Sequence, residues 1–244
     1  MKPAIVLVHG AWHDGASWHK LVPALEQRGF RVAAPDLPGH GGNAASDADV
    51  TLARYAQAVV ATIDDLGAPA LLLGHSMGGA VISAVAEAAP DRVAGLIYLS
   101  AFLLPDGMAM NQRMKEDGAS AVAPHATRLP DRRAVIMGDP GLALIYEGAD
   151  AEDLEFARKH AQPQVITPLV EPVHVTAARF GSIPRAFIQC ARDKAITPEM
   201  QRRMQQDWPC DPVVTLDCGH MPQIVMPGEL AEAVADIAAA FAWS

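Results

Sequence analysis

Short apolar runs alternate with longer amphipathic ones over the first hundred residues. Residues 4–8 (AIVLV) read as a buried strand that stops at His9-Gly10. Residues 18–27 follow, with Leu21 and Leu25 at helical spacing, and Gly29 ends that helix. A strand at 31–34 is halted by PDLPGHGGN, whose prolines and glycines forbid regular structure. Residues 51–66 read as a helix with Thr51 as N-cap, 70–73 as a strand, 77–89 as an alanine-rich helix and 93–99 as a strand. Strands alternating with helices at this spacing predict a parallel sheet covered on both faces.

The alternation lapses from 102 to 182, where prolines scatter and helical patches are short, as at 151–160. It resumes with a strand at 183–190, a helix at 198–206 and a strand at 213–216. A last helix at 229–241 carries Leu230, Val234, Ile237 and Phe241 on one face. The expected fold class is α/β, a doubly wound, mostly parallel sheet of about six strands. Residues 1–101 and 183–244 form its core, and 102–182 are inserted before the last two strands. Such an insertion is either a lid over an active site or a small packing subdomain.

Composition then removes whole classes of function. Among 244 residues, 19 Lys and Arg face 28 Asp and Glu, a net charge of -9 that repels phosphate backbones. Arg132-Arg133 and Arg202-Arg203 are isolated pairs, so no nucleic-acid partner is expected. Cys190, Cys210 and Cys218 lack the number and spacing of a disulfide framework or a zinc site. The opening MKPAIVLVHG has an apolar run too short for a signal peptide, and no stretch reaches the roughly 20 residues of a membrane span. The expectation is a cytoplasmic protein with no membrane partner, no metal and no organic cofactor; a homodimer is left open.

Gly74-His75-Ser76-Met77-Gly78 is a GxSxG between an apolar strand and a helix. A strand-to-helix turn this sharp strains the serine backbone and projects its hydroxyl from the sheet edge, with flanking glycines needed for close packing. Ser76 is thus a candidate nucleophile, and the following helix turns its positive end toward any anion formed there. A serine needs a base. His220, in the loop DCGHMP after the last strand, reaches the same C-terminal sheet edge, whereas His75 is read as locked in the elbow and facing elsewhere. The base needs an acid, and Asp193 follows the strand IPRAFIQC; Asp217 and Asp106 are rivals. The N–H groups of Met77 and of Ala11, in the loop after the first strand, are the candidate oxyanion donors. Apolar side chains in the insertion (Met108, Met110, Met114, Met137, Phe102, Tyr146, Phe156) offer walls for a hydrophobic ligand. Expected substrate contacts are Gly10, Trp12, Phe102, Tyr146 and Met221.

VLVHGAWHDGASWHKL, APDLPGHG, GHSMGG, CARDKAITPEMQ and CGHMPQ together resemble the α/β-hydrolase branch of plant methyl esterases, hydroxynitrile lyases and related bacterial esterases. The segment QPQVITPLVEPVHVTAARFGSIPRAFI is similar to that branch as well, so the likeness spans nearly the whole chain. The resemblance implies a helical cap over the site, a carboxylic ester substrate, Ser76, Asp193 and His220 as a triad, and Ala11 and Met77 as oxyanion donors. It also implies a test between activities. Members with lyase activity carry Thr at the position of Gly10 and Lys after the catalytic histidine, where this chain has Met221. The function expected is hydrolysis of small to medium hydrophobic or aromatic esters through an acyl-enzyme. A receptor-like protein with little turnover and a hydroxynitrile lyase are the alternatives.

Overall fold

The computed structural model describes residues 2–241. The first half contains strands β1 (Ala4–Val8), β2 (Arg31–Ala33), β3 (Ala70–His75) and β4 (Val93–Leu99), with helices α1 (Leu21–Glu26), α2 (Leu52–Leu66) and α3 (Gly78–Ala88). Between β4 and the next core strand lie α4 (Met110–Glu116), β5 (Ala126–Arg128), β6 (Ala134–Met137), α5 (Asp139–Ile145), α6 (Ala151–His160), β7 (Gln164–Val165) and α7 (Thr167–Val170). The chain returns through β8 (Arg185–Cys190), α8 (Pro198–Asp207), β9 (Val213–Leu216), α9 (Pro222–Val225) and α10 (Pro227–Ala240). Among the described residues, no helix is long and apolar enough to cross a membrane.

The main sheet runs β2-β1-β3-β4-β8-β9, and every pairing in it is parallel. Side chains alternate between its faces with the period of a strand. Val6, Leu72 and Tyr98 point into one apolar cluster, which α2 and α3 cover with Val59, Ile63, Val81 and Val85. Leu7, Leu73 and Leu99 point into the other, which α1 and α10 cover with Leu21, Leu25, Leu230, Val234 and Ile237. Burial on both faces explains why these strands read as continuous apolar runs. Thr51 caps α2 as its hydroxyl accepts from Arg54 N at 3.2 Å.

The sequence reading located all six core strands, with ends shifted by up to two residues. It missed α4, α5, α7 and α9, and it missed the antiparallel sheet β5-β6-β7 altogether. The inserted segment is therefore not purely helical. Its strands have two to four residues each, too short to display a period.

The strand order decides where a site can form. From β1 the chain moves outward to β2, then returns to β3 on the other side of β1. At this reversal the loops after β1 and β3 diverge and leave a crevice at the C-terminal edge.

Four buried histidines hold the loops at that edge. Leu37 N donates to His9 Nε2 at 3.1 Å, so His9 Nδ1–H donates to the Gly10 carbonyl at 2.9 Å. His13 Nδ1–H donates to the Ala11 carbonyl at 2.7 Å and His40 Nδ1–H to the His13 carbonyl at 2.8 Å. His75 Nε2–H donates to the His220 carbonyl at 2.8 Å. Burial, which penalises the charged ring, holds His9 and His75 well below the usual histidine value, brings His13 down to about 4, and lowers His40.

Two outcomes follow from this packing. A Cβ on Gly78 would lie 2.4 Å from the Val8 carbonyl oxygen, whereas one on Gly118 would meet nothing within 4 Å. Gly78→Ala is expected to cost about 1–3 kcal/mol, or about 2–4 °C of melting temperature per kcal/mol, while Gly118→Ala stays within about 0.5 kcal/mol. Equal melting temperatures for the two variants would refute the close packing. The second outcome concerns pH. Folded-state histidine values lie below the ordinary 6.5, so below that pH the unfolded chain binds protons that the folded chain refuses. Stability is full above pH 6.5 and falls as pH drops toward about 4, by about 1.4 kcal/mol per pH unit for each such histidine. Urea midpoints measured between about pH 7.5 and 5 test this, and a constant midpoint would contradict it.

Candidate active site at the C-terminal sheet edge

The turn from β3 into α3 holds Ser76 at φ 53°, a left-handed conformation that a serine seldom adopts. Its backbone is fixed on both sides: Ser76 N donates to the Leu99 carbonyl at 3.3 Å, and the Ser76 carbonyl accepts from Phe102 N at 3.0 Å and Gly79 N at 3.1 Å. The turn is narrow because Gly74 packs against α3; a Cβ there would sit 2.5 Å from the Gly78 carbonyl oxygen. Ser76 therefore has its strain imposed by packing, as expected of a functional turn.

His220 lies after β9, buried, with Nδ1 2.6 Å from Asp193 Oδ2. Asp193 follows β8 and is held from several directions. Its Oδ1 accepts from Ala195 N at 2.6 Å and Ile196 N at 3.0 Å, and its Oδ2 accepts from the Ser100 hydroxyl and, at 3.5 Å, from Gln201 Nε2. With Nδ1–H donating to the carboxylate, His220 keeps its Nε2 lone pair free to take a proton. Of the rival acids, Asp217 pairs with Arg192 at 3.0 Å on the surface, and Asp106 is exposed near His174.

Ser76 and His220 line a cavity of about 100 Å³. Ala11, Met77, Trp12 and Phe102 line it, and Met114, Val122, Met137, Leu169 and Ile196 add to its apolar wall. Among the described residues, neither Ala11 N–H nor Met77 N–H donates to a protein acceptor. Buried amides are rarely left so, and two beside a serine can bind an oxyanion. Gly10 lines a smaller annex that shares Ser76 and His220 with the cavity, and a Cβ on Gly10 would lie 3.1 Å from both Ser76 Cβ and His75 Nδ1.

Two expected contacts fall elsewhere. Tyr146 and Met221 pack with Leu142, Ile145 and Ile224 in an apolar cluster that includes Val122 and Met137 of the cavity wall, but they do not themselves line the cavity. Burial of the phenol ring and thioether satisfies their hydrophobicity there. Of the other apolar candidates, Met114, Met137 and Phe102 reach the cavity, Met108 and Met110 pack on the main core, and Phe156 sits between the rings of His19 and His160. His75 does not face elsewhere. It lines the annex and holds the backbone of His220.

Sequence reasoning missed Ser100, Gln201 and Asp117. Ser100 sits at the same sheet edge one residue past β4, at φ 40° and fully buried, a polar residue closing an apolar strand. Gln201 is buried between Met200 and Met204 on the inner face of α8, a polar break in that stripe. Asp117 lines the cavity while accepting from Thr197 N at 2.9 Å and Thr197 Oγ1 at 2.8 Å. Only its contact with the start of α8 distinguishes it from any acidic loop residue.

A model of the alpha/beta hydrolase family matches residues 5–233. A pyrethroid hydrolase of Sphingobium wenxiniae is 36% identical over 253 residues, covering 96% of this chain and 87% of that protein. Methylesterase 7 of Arabidopsis thaliana is 30% identical over 251 residues, covering 97% of this chain and 96% of that one. The crystal structure of a pyrethroid hydrolase from Sphingobium faniae JZ-2 superposes with a TM-score of 0.85 at 33% identity, over 98% of each chain. The parallel sheet order, the strained serine turn and the match along almost the full sequence share one explanation: the chain belongs to the alpha/beta hydrolase family.

Proposed function

We propose that the protein is a serine hydrolase that cleaves small to medium hydrophobic or aromatic carboxylic esters through an acyl-enzyme. The observation that carries the reading is Ser76, held at a left-handed φ, sharing a cavity with a histidine whose other nitrogen is locked to a buried aspartate. Ser76 Oγ attacks the ester carbonyl and its proton passes to His220 Nε2. Asp193 keeps the imidazole in the required tautomer and stabilises its cation, and the N–H groups of Ala11 and Met77 receive the oxyanion. His220 returns the proton to the departing alcohol, then takes one from water to release the acid. Relatives whose names denote ester cleavage support the reaction class.

The segment 102–182 serves as a cap, a reading supported by Phe102, Met114, Val122, Met137 and Leu169, which line the cavity that Ser76 also lines. An apolar wall and a volume of about 100 Å³ suit a compact acyl group free of charge. Free thiols at Cys190, Cys210 and Cys218 suit a reducing cytoplasm. Cyanohydrin cleavage would need a cation near the leaving group, and the cavity lining contains no lysine or arginine among the described residues. Met221, where a lyase of this branch carries Lys, is buried and does not line the cavity.

Ser76→Ala is expected to lower ester turnover by about four to six orders of magnitude with an unchanged melting temperature. Asp193→Asn should lower it by about 10²–10⁴-fold, while Asp217→Asn, altering only a surface pair, leaves it intact. Assays with p-nitrophenyl esters of graded acyl size check both statements. Parental turnover in Ser76→Ala would sink the mechanism, and a crippled Asp217→Asn beside an active Asp193→Asn would mean the wrong acid.

A further inference from the structure

Beside Ser76 lies a void of about 10 Å³, which shares Ala11, Trp12, Ser76 and His220 with the apolar cavity. Residues 10–13 line it together with His75, Ser76, Ile145 and His220. A void of this measure has room for one water and for nothing larger. His13 lines it and is buried at 3% exposure. Its Nδ1–H is committed to the Ala11 carbonyl, which leaves Nε2 as an acceptor, and that atom makes no hydrogen bond with another described residue. An unpaired buried acceptor beside the reacting serine calls for an explanation.

We infer that His13 Nε2 and His220 Nε2 together hold the hydrolytic water in this void, which makes His13 a positioning residue for deacylation. The inference rests on the acyl-enzyme reading above. Once the alcohol has left, the acyl carbon is bonded to Ser76 Oγ, and the acyl chain occupies the apolar cavity. The water oxygen forms a bond to that carbon as one of its protons passes to His220 Nε2. The other hydrogen stays on the oxygen and is hydrogen-bonded by His13 Nε2, which orients the attacking lone pair. Collapse of the tetrahedral intermediate breaks the bond to Ser76 Oγ, and Oγ takes the proton from His220, leaving the free acid. His13 gives and takes no proton in this sequence. Burial brings its ring down to about 4, so the acceptor lone pair persists across neutral pH.

Two substitutions separate this role from a simple anchoring role for the Ala11 loop. His13→Asn can keep the donor to the Ala11 carbonyl but loses the acceptor at the Nε2 position. His13→Gln places an amide oxygen near the Nε2 position but loses the donor. Stopped-flow kinetics with p-nitrophenyl acetate resolve acylation, as the burst, from deacylation, as the steady rate. The expected result for His13→Asn is a preserved burst with deacylation slowed at least about tenfold, and His13→Gln should recover most of that loss.

A parental deacylation rate in His13→Asn, or a crippled His13→Gln beside an active His13→Asn, overturns the proposal while leaving the serine mechanism standing. Turnover that survives Ser76→Ala would instead overturn the acyl-enzyme reading itself. Should His13→Asn fail to fold, a crystal structure of Ser76→Ala decides. An ordered water within about 3.2 Å of His13 Nε2 supports the inference, and a dry Nε2 bonded to the Tyr146 hydroxyl, whose ring centroid lies 5.6 Å away, overturns it.

Discussion

The approach of α3 to β1 and β3 is the constraint on which the rest of the molecule depends. Gly74 and Gly78 face neighbouring backbone so closely that a Cβ on either would fall 2.5 Å or less from a carbonyl oxygen. The chain must therefore reverse from strand to helix within Ser76-Met77, and the reversal forces Ser76 to φ 53°. The strain costs on the order of 1–3 kcal/mol and is borne because the surrounding apolar clusters over-determine the turn. Relaxing the turn would withdraw the Ser76 side chain from the cavity it shares with His220.

Around that turn, parallel strands deliver the other groups to the same edge. Loops after β1, β4, β8 and β9 bring Ala11, Ser100, Asp193 and His220 within one region, though they are far apart in sequence. Loops alone would not hold such positions. Neutral histidines secure the loops after β1 and β9, each ring donating to a backbone carbonyl in a buried setting where an unpaired group would be costly. His40 extends this network to Tyr55 on α2 at 3.0 Å, and Gln164 Nε2 donates to the same hydroxyl at 3.2 Å.

The segment between β4 and β8 is tied to the site through Trp12. This residue, at φ 64°, follows Ala11, donates its indole N–H to the Val135 carbonyl at 3.0 Å, and accepts from Gln162 N at 3.0 Å through its own carbonyl. Trp12 also lines the cavity. The inserted segment and the loop bearing Ala11 N–H are thus joined by hydrogen bonds at a residue that itself lines the cavity.

Local patterning alone determined the sheet and its chemistry-bearing turns. Apolar runs buried on both faces, breaks at His9-Gly10 and the GHSMG turn are encoded within a few residues each, so the strand positions were legible, and Ser76, Asp193 and His220 were legible as candidates at one sheet edge. The tertiary structure decided the rest. Tyr146 and Met221 look like any apolar wall residue in sequence, and only the packing around Leu142 and Ile224 turned them away from the cavity. Ser100 and Gln201 acquire meaning because β4 and α8 meet at Asp193. The strands β5, β6 and β7 are too short to carry a period and exist through pairing with one another. Periodicity records which face of an element is buried; which partner buries it is settled by contacts between residues remote in the chain, and these leave no local mark in the sequence.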